Sequence, residues 1–338
     1  MSKRICFIYT GGTVGMVDSD AGYVPQKNYL RGEMERIPDL HREGMPAWDL
    51  IEFDTLLDSS NIAAEEWNRI GRTIESQYDR YDGFVILHGT DTMAYTASAL
   101  SFMLEGLNKP VVMTGSQIPI GIVRSDAQEN IVSSAMIASD GRCTEVSLCF
   151  GGVLMRGNRA TKISADDMVA FDTPNDRHLA SLDIHIRYHA SALLKQGSGL
   201  HFQPFMEDIP IAVLKVFPGI QFDLFDGILT ERLKGLVLEG FGAGNVPQND
   251  RHLLPLLQKA ADHGTVIVVC TQCLKGSAMI GTYEVSRALK DAGAVNGADL
   301  TVEAAVTKLY YLFSKGCDTD DIRKQMEMPL RGEMTVSP

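Results

Sequence analysis

The chain has 338 residues, 45% of them apolar and 22% charged, a composition that is ordinary for a globular protein and leaves room for two domains. Its formal net charge of −12 argues against nucleic acid or an anionic membrane surface as a partner, because both are bound by basic faces. No apolar run approaches the ~20 residues of a membrane helix, and the first run is too short for a secretion signal, so we expect a cytoplasmic protein.

The first predicted element is a strand buried on both faces, because residues 5–9 read ICFIY. It leads into TGGTVG at 10–15, where glycines allow a sharp turn and the close approach of another group. The turn presents the hydroxyl of Thr13 at a strand end, which is where open α/β sheets bind ligands. An ordinary strand-to-loop connection also explains it, and its spacing fits neither glycine-rich phosphate motif. Only residues from elsewhere in the chain can show whether Thr13 belongs to a functional site.

The polar loop at 17–27 follows, and a loop beside a site can act as a mobile lid. Its aromatic residue, Tyr23, offers a hydroxyl, although an exposed loop tyrosine needs no function. A strand predicted at 49–57 then ends in Asp58, Ser59 and Ser60, before a helix with apolar residues at helical spacing. Capping of that helix accounts for one of these polar residues and leaves Asp58 and Ser59 unexplained.

A second buried strand, FVIL at 84–87, delivers HGTDT at 88–92 just before a helix predicted at 93–104. Thr90 and Asp91 therefore lie between a strand end and a helix amino terminus, where free backbone N–H groups and a positive dipole end are found. Helix capping by Asp91 or Thr92 is the simpler interpretation of this segment when it is taken alone.

Alternation of strands and helices continues to the end of the sequence. Strands are predicted at 111–114, 146–150, 153–155, 211–216, 235–238 and 265–270, and helices at 127–138, 251–261, 283–292, 301–313 and 320–326, the last capped by Asp318 or Thr319. The pattern fades before residue 210, which suggests a linker. We therefore predict an α/β fold of two domains: a larger amino-terminal domain (1–190) with a doubly wound, mainly parallel sheet, a linker (191–210), and a smaller carboxyl-terminal α/β domain (211–338).

The six cysteines are scattered, and three of them fall in apolar strand-like runs, so we expect reduced thiols rather than disulfides. Cys270 and Cys273 form a lone C-x-x-C without the second pair that a zinc site requires. No metal site is predicted.

Three strand ends of the first domain thus carry hydroxyls and carboxylates. A threonine hydroxyl such as that of Thr13 is a poor nucleophile until a base takes its proton. Thr90 and Asp91, joined by Lys162 from the later run RGNRATK at 156–162, could form a hydroxyl–amine–carboxylate relay with the logic of the serine triad. Lys162 alone would pass for a solvated surface charge.

These motifs resemble the bacterial-type L-asparaginases. TGGTVG and HGTDT are similar to the two signature motifs of that family, and DSS at 58–60, TGSQ at 114–117, RGNRATK and GFGAGN at 240–245 extend the likeness over essentially the whole chain. Within the family the chain resembles the cytoplasmic type I branch, because it has DSS where secreted members tend to carry Gly-Ser-Gln.

The resemblance implies an L-asparagine amidohydrolase in which Thr13 attacks the side-chain amide carbon. It implies that Tyr23, in the lid, hydrogen-bonds Thr13, and that Asp58 and Ser59, with Ser60 adjacent, hold the α-amino and α-carboxylate groups. Ammonia leaves, and water then cleaves the β-aspartyl ester. No metal or cofactor is implied, because fixed donors stabilise the charge.

By the same resemblance, Thr90, Asp91 and Lys162 form a second triad that handles protons. The Thr90 backbone N–H would stabilise the oxyanion, and Asp91 would pair with the α-ammonium group. The family likeness also implies a homo-oligomer, a dimer of dimers, in which Asn245 reaches the substrate of a neighbouring chain.

Two departures from the family pattern bear on function. Ala127 stands where the family's Ser-Asp-Gly run has glycine, so a positive φ is not expected at residue 127, and the chemistry is unaffected. Thr271 and Cys273 match a regulatory asparagine site of some cytoplasmic relatives, but Glu239 replaces their arginine. A reversed charge repels the ligand's carboxylate, so we do not expect that regulation here.

Two other functions remain open at this point. The first is a different amide or ester substrate on the same fold, as in an amidotransferase subunit or a lysophospholipase, although a tRNA substrate would need a basic surface and a further domain. The second is a non-catalytic amino-acid-binding protein. An ammonia-release assay separates these alternatives.

Overall fold

The computed structural model describes residues 3–20, 22–247, 249–281 and 284–335. Contacts between Cα atoms divide the chain into two compact units, one formed by Met1–Thr173 with Arg177–Phe205 and the other by Pro174–Asp176 with Met206–Pro338. Residues 191–205, which lie in the stretch expected to be a linker, group with the first unit.

The first unit is built on an eight-stranded sheet. Its strands are β1 (Arg4–Gly11), β4 (Ala47–Leu57), β5 (Gly83–Leu87), β7 (Val111–Thr114), β8 (Val146–Phe150), β9 (Val153–Arg156), β12 (Ala180–Leu182) and β13 (Ile186–Tyr188). Three two-stranded ladders of two-residue strands accompany it: β2 (Met16–Val17) with β3 (Val24–Pro25), β6 (Leu104–Glu105) with β14 (His201–Phe202), and β10 (Thr161–Lys162) with β11 (Phe171–Asp172). The order is β13-β12-β9-β8-β7-β5-β1-β4, parallel from β4 to β8 and antiparallel from there to β13.

The central strands of this sheet are buried on both faces, as their continuous apolar runs predict. Residues 5–9 and 84–87 are 0% exposed. The helices of this unit are α1 (Tyr29–Glu35), α2 (Ala64–Gln77), α3 (Met93–Met103) and α4 (Ala127–Asp140). On one face, Ile131 and Ala135 of α4 share a buried apolar cluster with Phe7, Val85 and Val112 of the sheet.

The second unit has a four-stranded parallel sheet in the order β15-β16-β17-β18. Its elements are β15 (Ile211–Lys215), β16 (Gly235–Gly240), α5 (Leu253–Asp262), β17 (Val266–Thr271), α6 (Glu284–Asp291), β18 (Ala294–Asn296), α7 (Val302–Ser314) and α8 (Thr319–Met326). Lys308 on α7 and Glu333 are both 0% exposed and form an ion pair of 2.7 Å. Glu333 also accepts hydrogen bonds from the backbone N–H groups of Leu330 and Arg331, so this pair anchors the segment around residue 330.

The predicted fold class is confirmed: a large, mainly parallel sheet in the first unit and a separate, smaller α/β unit after it. Asp318 caps α8 with its side chain, as expected from the sequence. Ala127 opens α4, and the positive φ of this region lies at Arg124 instead. Tyr283, predicted to begin a helix, lies outside the described residues. None of the described helices is long and apolar enough to cross a bilayer.

Candidate active site

The order of the sheet brings three predicted site segments to one edge. β1 lies between β4 and β5 and is parallel to both, so the carboxyl ends of the three strands meet. Thr13 follows β1, Asp58 and Ser59 follow β4, and Thr90 and Asp91 follow β5.

The segments meet through glycine backbones. A Cβ on Gly12, whose φ is +89°, would lie 2.3 Å from the Gly89 nitrogen, and a Cβ on Gly89 would lie 2.5 Å from Ser59 Oγ. Neither position therefore has room for a side chain. The Thr92 hydroxyl adds a 2.7 Å hydrogen bond to the Ser59 carbonyl. Thr13 and Thr90, each directly after one of the touching glycines, are consequently close neighbours.

Thr90, Asp91 and Lys162 are brought together as the sequence predicts. Lys162 Nζ donates to Thr90 Oγ1 at 3.0 Å and to Asp91 Oδ1 at 2.7 Å. The lysine arrives on β10, which pairs with β11. The side chain of Asp91 is 64% exposed, so water weakens the charge pair and the value of the contact lies in the positions it fixes.

Gln117 completes this group, and sequence reasoning gave it no separate role. The Thr90 hydroxyl donates to Gln117 Oε1 at 3.3 Å, while Gln117 Nε2 donates to the Ala165 and Asp167 carbonyls. The Gln117 backbone N–H in turn donates to the Asp126 carboxylate at 3.0 Å. The signal was its place in TGSQ at the end of a buried strand; only the fold reveals that it lies beside Thr90.

Thr13 and Tyr23 are not joined. Thr13 is half-buried, Tyr23 is 51% exposed, and neither hydroxyl makes a hydrogen bond to any described residue. The expected Thr13–Tyr23 hydrogen bond is therefore not formed in this structure. The loop between them is held by the short β2–β3 ladder.

Asp58 and Ser59 differ in exposure. The Asp58 carboxylate is exposed and accepts a 3.0 Å hydrogen bond from the Ser60 N–H, so it caps the 3-10 turn at Ser59–Asn61. Ser59 is 3% exposed and lies against Gly89, whereas Ser60 is exposed. Capping uses one carboxylate oxygen of Asp58 and leaves the other for a ligand.

Asn245, unlike the other predicted site residues, belongs to the second unit. It follows β16 in a tight loop closed by backbone hydrogen bonds with Phe241, and its Oδ1 is buried without a partner among the described residues. In the same unit Thr271 Oγ1 donates to the Gly242 carbonyl, and the Glu239 carboxylate lies 3.8 Å from Lys215 Nζ.

His88 lies directly behind the site and is 0% exposed. Burial lowers the pKa of its imidazole to about 4, so the ring is neutral around pH 7. Both ring nitrogens are hydrogen-bonded, one to the Gly89 carbonyl and one to the Thr96 hydroxyl. In the described parts of the chain no group of three or more His, Cys, Asp or Glu residues is arranged to hold a metal ion.

Comparison with known proteins identifies the family of this chain. The family model "Asparaginase, N-terminal" matches residues 4–194, and the model "Glutaminase/Asparaginase C-terminal domain" matches residues 210–326. The chain belongs to the asparaginase family. The predicted resemblance is confirmed.

Relatives in this family cover the whole chain. It is 46% identical to L-asparaginase 1 of Escherichia coli strain K12 over 333 residues, which is 98% of each chain. It is 38% identical to the 60 kDa lysophospholipase of Mus musculus, covering 99% of this chain and 63% of that protein. The crystal structure of L-asparaginase I from Vibrio cholerae superposes with a TM-score of 0.92 at 42% identity, covering 99% of this chain and 100% of that one.

Proposed function

We propose that the protein is an L-asparaginase that hydrolyses L-asparagine to L-aspartate and ammonia. The observation that carries this proposal is the hydrogen-bonded group of Thr90, Asp91 and Lys162, set beside Thr13 by the contact between Gly12 and Gly89. The names of the asparaginase relatives support the same activity.

In this proposal Thr13 Oγ attacks the amide carbon, and its proton passes to the departing nitrogen. The C–N bond breaks as ammonia leaves, and a β-aspartyl ester remains on Thr13. Water then attacks the ester carbon and returns the proton to Thr13 Oγ. The Thr13 hydroxyl makes no hydrogen bond to the described residues and is therefore available to a substrate, and closure of the loop that carries Tyr23 would bring the tyrosine hydroxyl to it.

Lys162 serves the proton transfers by holding Thr90. Its amine donates to both Thr90 Oγ1 and Asp91 Oδ1, so negative charge that develops on the Thr90 oxygen lies against a cationic donor. The backbone N–H of Thr90 is the donor that we assign to the substrate's oxyanion, because it makes no hydrogen bond to any described residue.

Recognition of the α-amino and α-carboxylate groups falls to Asp58, Ser59 and Asp91. Fixing that end of the substrate fixes the reach of the amide carbon toward Thr13. Glutamine is longer by one methylene, and productive attack tolerates a displacement of only about an ångström. We therefore expect kcat/KM to favour asparagine over glutamine, and comparable values for the two amides would contradict this assignment.

We also propose that the protein works as a homo-oligomer, a dimer of dimers, in which Asn245 of one copy completes the site of another. The support for this proposal is the family likeness of GFGAGN at 240–245, which places Asn245 in a tight glycine-rich loop after β16. Thr13→Ala and Asn245→Ala chains, if both are impaired, should regain activity on mixing. Full activity of a monomer at high dilution, or no recovery after subunit exchange, would refute the shared site. The cytoplasmic location stays a prediction.

The deciding experiment measures release of ammonia from L-asparagine, L-glutamine and buffer alone, and release of fatty acid from a lysophosphatidylcholine. The last arm is included because a lysophospholipase is among the relatives. We expect ammonia from asparagine at a rate far above that of the other arms. Fatty-acid release without ammonia would replace the proposed function by the lipase activity, and no product in any arm would favour a binding protein.

A further inference from the structure

A buried chain of hydrogen bonds runs from α2 to the loop that carries Thr90. Trp67 Nε1 donates to Thr96 Oγ1 at 3.0 Å, Thr96 Oγ1 lies 3.0 Å from His88 Nε2, and His88 Nδ1 lies 2.7 Å from the Gly89 carbonyl oxygen. Trp67 is 6% exposed, and Thr96 and His88 are 0% exposed. The chain therefore operates away from water, where an unmade hydrogen bond is costly.

The chemistry of the two ends fixes the direction of every bond in this chain. The Gly89 carbonyl can only accept, so His88 Nδ1 carries the hydrogen. The neutral ring then presents a lone pair at Nε2, which accepts from the Thr96 hydroxyl. Thr96 Oγ1 in turn accepts from Trp67, whose indole N–H can only donate. We assign the Nδ1–H tautomer to His88 on this basis.

The Gly89 carbonyl and the Thr90 N–H belong to the same peptide group. That group is planar, and the described residues contain no cis peptide bond, so the carbonyl and the N–H point in opposite directions. Holding the carbonyl of Gly89 toward His88 therefore aims the N–H of Thr90 away from the core. Glycine has the widest choice of backbone angles, so the orientation of the peptide group that follows Gly89 depends on a hydrogen bond of this kind.

We propose that His88 is a positioning residue for the reaction: its Nδ1–H holds the Gly89 carbonyl and thereby aims the Thr90 N–H at the oxyanion formed on the substrate. The inference rests on the proposed function. His88 itself transfers no proton, because it is inaccessible and both ring nitrogens are engaged. Thr96 and Trp67 act through it by selecting the tautomer.

Three replacements of His88 separate its two hydrogen bonds. The amide nitrogen of asparagine, a donor, reaches the place of Nδ1, and the amide oxygen of glutamine, an acceptor, reaches the place of Nε2. His88→Asn thus keeps a donor for the Gly89 carbonyl and gives up Thr96, whereas His88→Gln keeps the contact with Thr96 and gives up the carbonyl. His88→Phe fills the volume and makes neither bond.

We expect kcat for asparagine to fall most in His88→Gln and His88→Phe, by about 10²-fold, and clearly less in His88→Asn. Loss of one oxyanion donor costs about 10²–10³ in kcat, and misdirection of a donor that is still present should lie at the lower end of that range. KM and the affinity for L-aspartate should change little, because the ground state lacks the oxyanion. Thermal melting reports folding in each variant.

Thr96→Val removes the donor to Nε2 at nearly constant volume and should lower kcat less than His88→Gln does. The matched control is Thr265→Val, because Thr265 is also 0% exposed and its hydroxyl bonds a carbonyl, that of Leu233, in the other unit. The control should lose stability without a change in kcat. Equal kcat in His88→Asn and His88→Gln, or equal effects of Thr96→Val and Thr265→Val on kcat, would overturn the positioning role.

A spectroscopic measurement tests the geometry independently of activity. Nitrogen-15 spectra of the wild-type imidazoles identify the protonated nitrogen, and we expect His88 to be protonated at Nδ1, the tautomer less favoured in water. Protonation at Nε2 would overturn the proposal even if every variant failed to fold. A wild type that releases no ammonia would defeat the proposed function and leave this measurement unaffected, so the two failures are distinguishable.

Discussion

The two halves of the candidate site differ in how far their side chains are already held. Thr90, Asp91, Lys162 and Gln117 form a connected set of hydrogen bonds. The hydroxyls of Thr13 and Tyr23 make none to the described residues. The first half is preorganised, which is what stabilisation of developing charge requires, and the second awaits an event that brings its groups together.

The difference follows from the supports beneath each half. Thr90 lies between a fully buried strand and the buried helix α3, with His88 bonded beneath it. Tyr23 is 51% exposed and lies on a connection that has the β2–β3 ladder and hydrogen bonds between Ser19 and Gly22 among its described contacts. Buried contacts and protected hydrogen bonds fix the segment around Thr90, whereas the Tyr23 side chain is exposed and its hydroxyl is held by no hydrogen bond to the described residues. Substitutions should therefore act differently in the two halves.

The largest effect is expected at Thr13. Thr13→Ala should abolish turnover, by roughly 10³-fold or more, because it removes the nucleophile, and should leave folding intact because the hydroxyl makes no hydrogen bond to the described residues. Steady-state ammonia release and thermal melting measure the two quantities. Thr13→Ser, which keeps a hydroxyl, is the matched control and should retain measurable turnover. A folded Thr13→Ala protein with more than a tenth of wild-type activity would rule out this nucleophile.

The second largest effect is expected at Lys162, in the preorganised half of the site. Lys162→Met keeps the length of the stem and removes the amine, so kcat should drop by about 10²–10³-fold while the affinity for L-aspartate survives. Lys259→Met breaks an exposed ion pair with Asp226 and should change neither quantity. Equal losses in binding and turnover would mark Lys162 as a structural residue.

His88, which is hydrogen-bonded to the preorganised half of the site, should make the stability of the protein depend on pH. The pKa of His88 falls from 6.5 in the unfolded chain to about 4 in the folded protein because of burial, so the unfolded state takes up the proton first. The free energy of unfolding should be flat above pH 6.5 for this group and fall by roughly 3 kcal/mol as the pH drops to 4.

Urea unfolding of the wild type and of His88→Gln, measured from pH 7.5 to pH 4, isolates this contribution, because the carboxylates titrate alike in both proteins. The wild type should lose more stability over that interval than the variant does. Parallel curves would show that His88 is not buried as a neutral ring.

The smallest effect is expected at Tyr23, in the second half of the site. Tyr23→Phe should lower kcat by about 10-fold, because one hydrogen bond of a closed state is lost, and should leave the melting temperature unchanged. Tyr29→Phe removes another tyrosine hydroxyl that bonds none of the described residues and should leave kcat as it is. A fall in stability without a fall in kcat would assign Tyr23 a structural role.

The sequence predicted best the elements that local patterning determines. The runs at 5–9, 84–87 and 111–114 are uniformly apolar because both sheet faces are covered, and they became β1, β5 and β7. The β12–β13 hairpin was missed because its strands have three residues each and mixed burial. Helix α1 was missed because it is short and contains Gly32.

The candidate site was predictable in its residues and less so in its geometry. Lys162 is far along the chain from Thr90 and Asp91, and the family motifs brought the three into one prediction that the distances agree with. The roles of Gln117 and His88 depend on which atoms lie within 3.5 Å of one another, and no spacing along the chain carries that information. The Tyr23 contact depends on a loop position that the motif does not determine.

The buried pair of Lys308 and Glu333 has a consequence for biosynthesis. A charged amine without its partner is strongly disfavoured in an apolar interior, and breaking such a pair costs roughly 3–5 kcal/mol. While the ribosome is still adding residues before 333, α7 would have to bury Lys308 unpaired or stay undocked. The second unit should therefore reach its native packing only after translation of residue 333, well after the strands of the first unit have emerged.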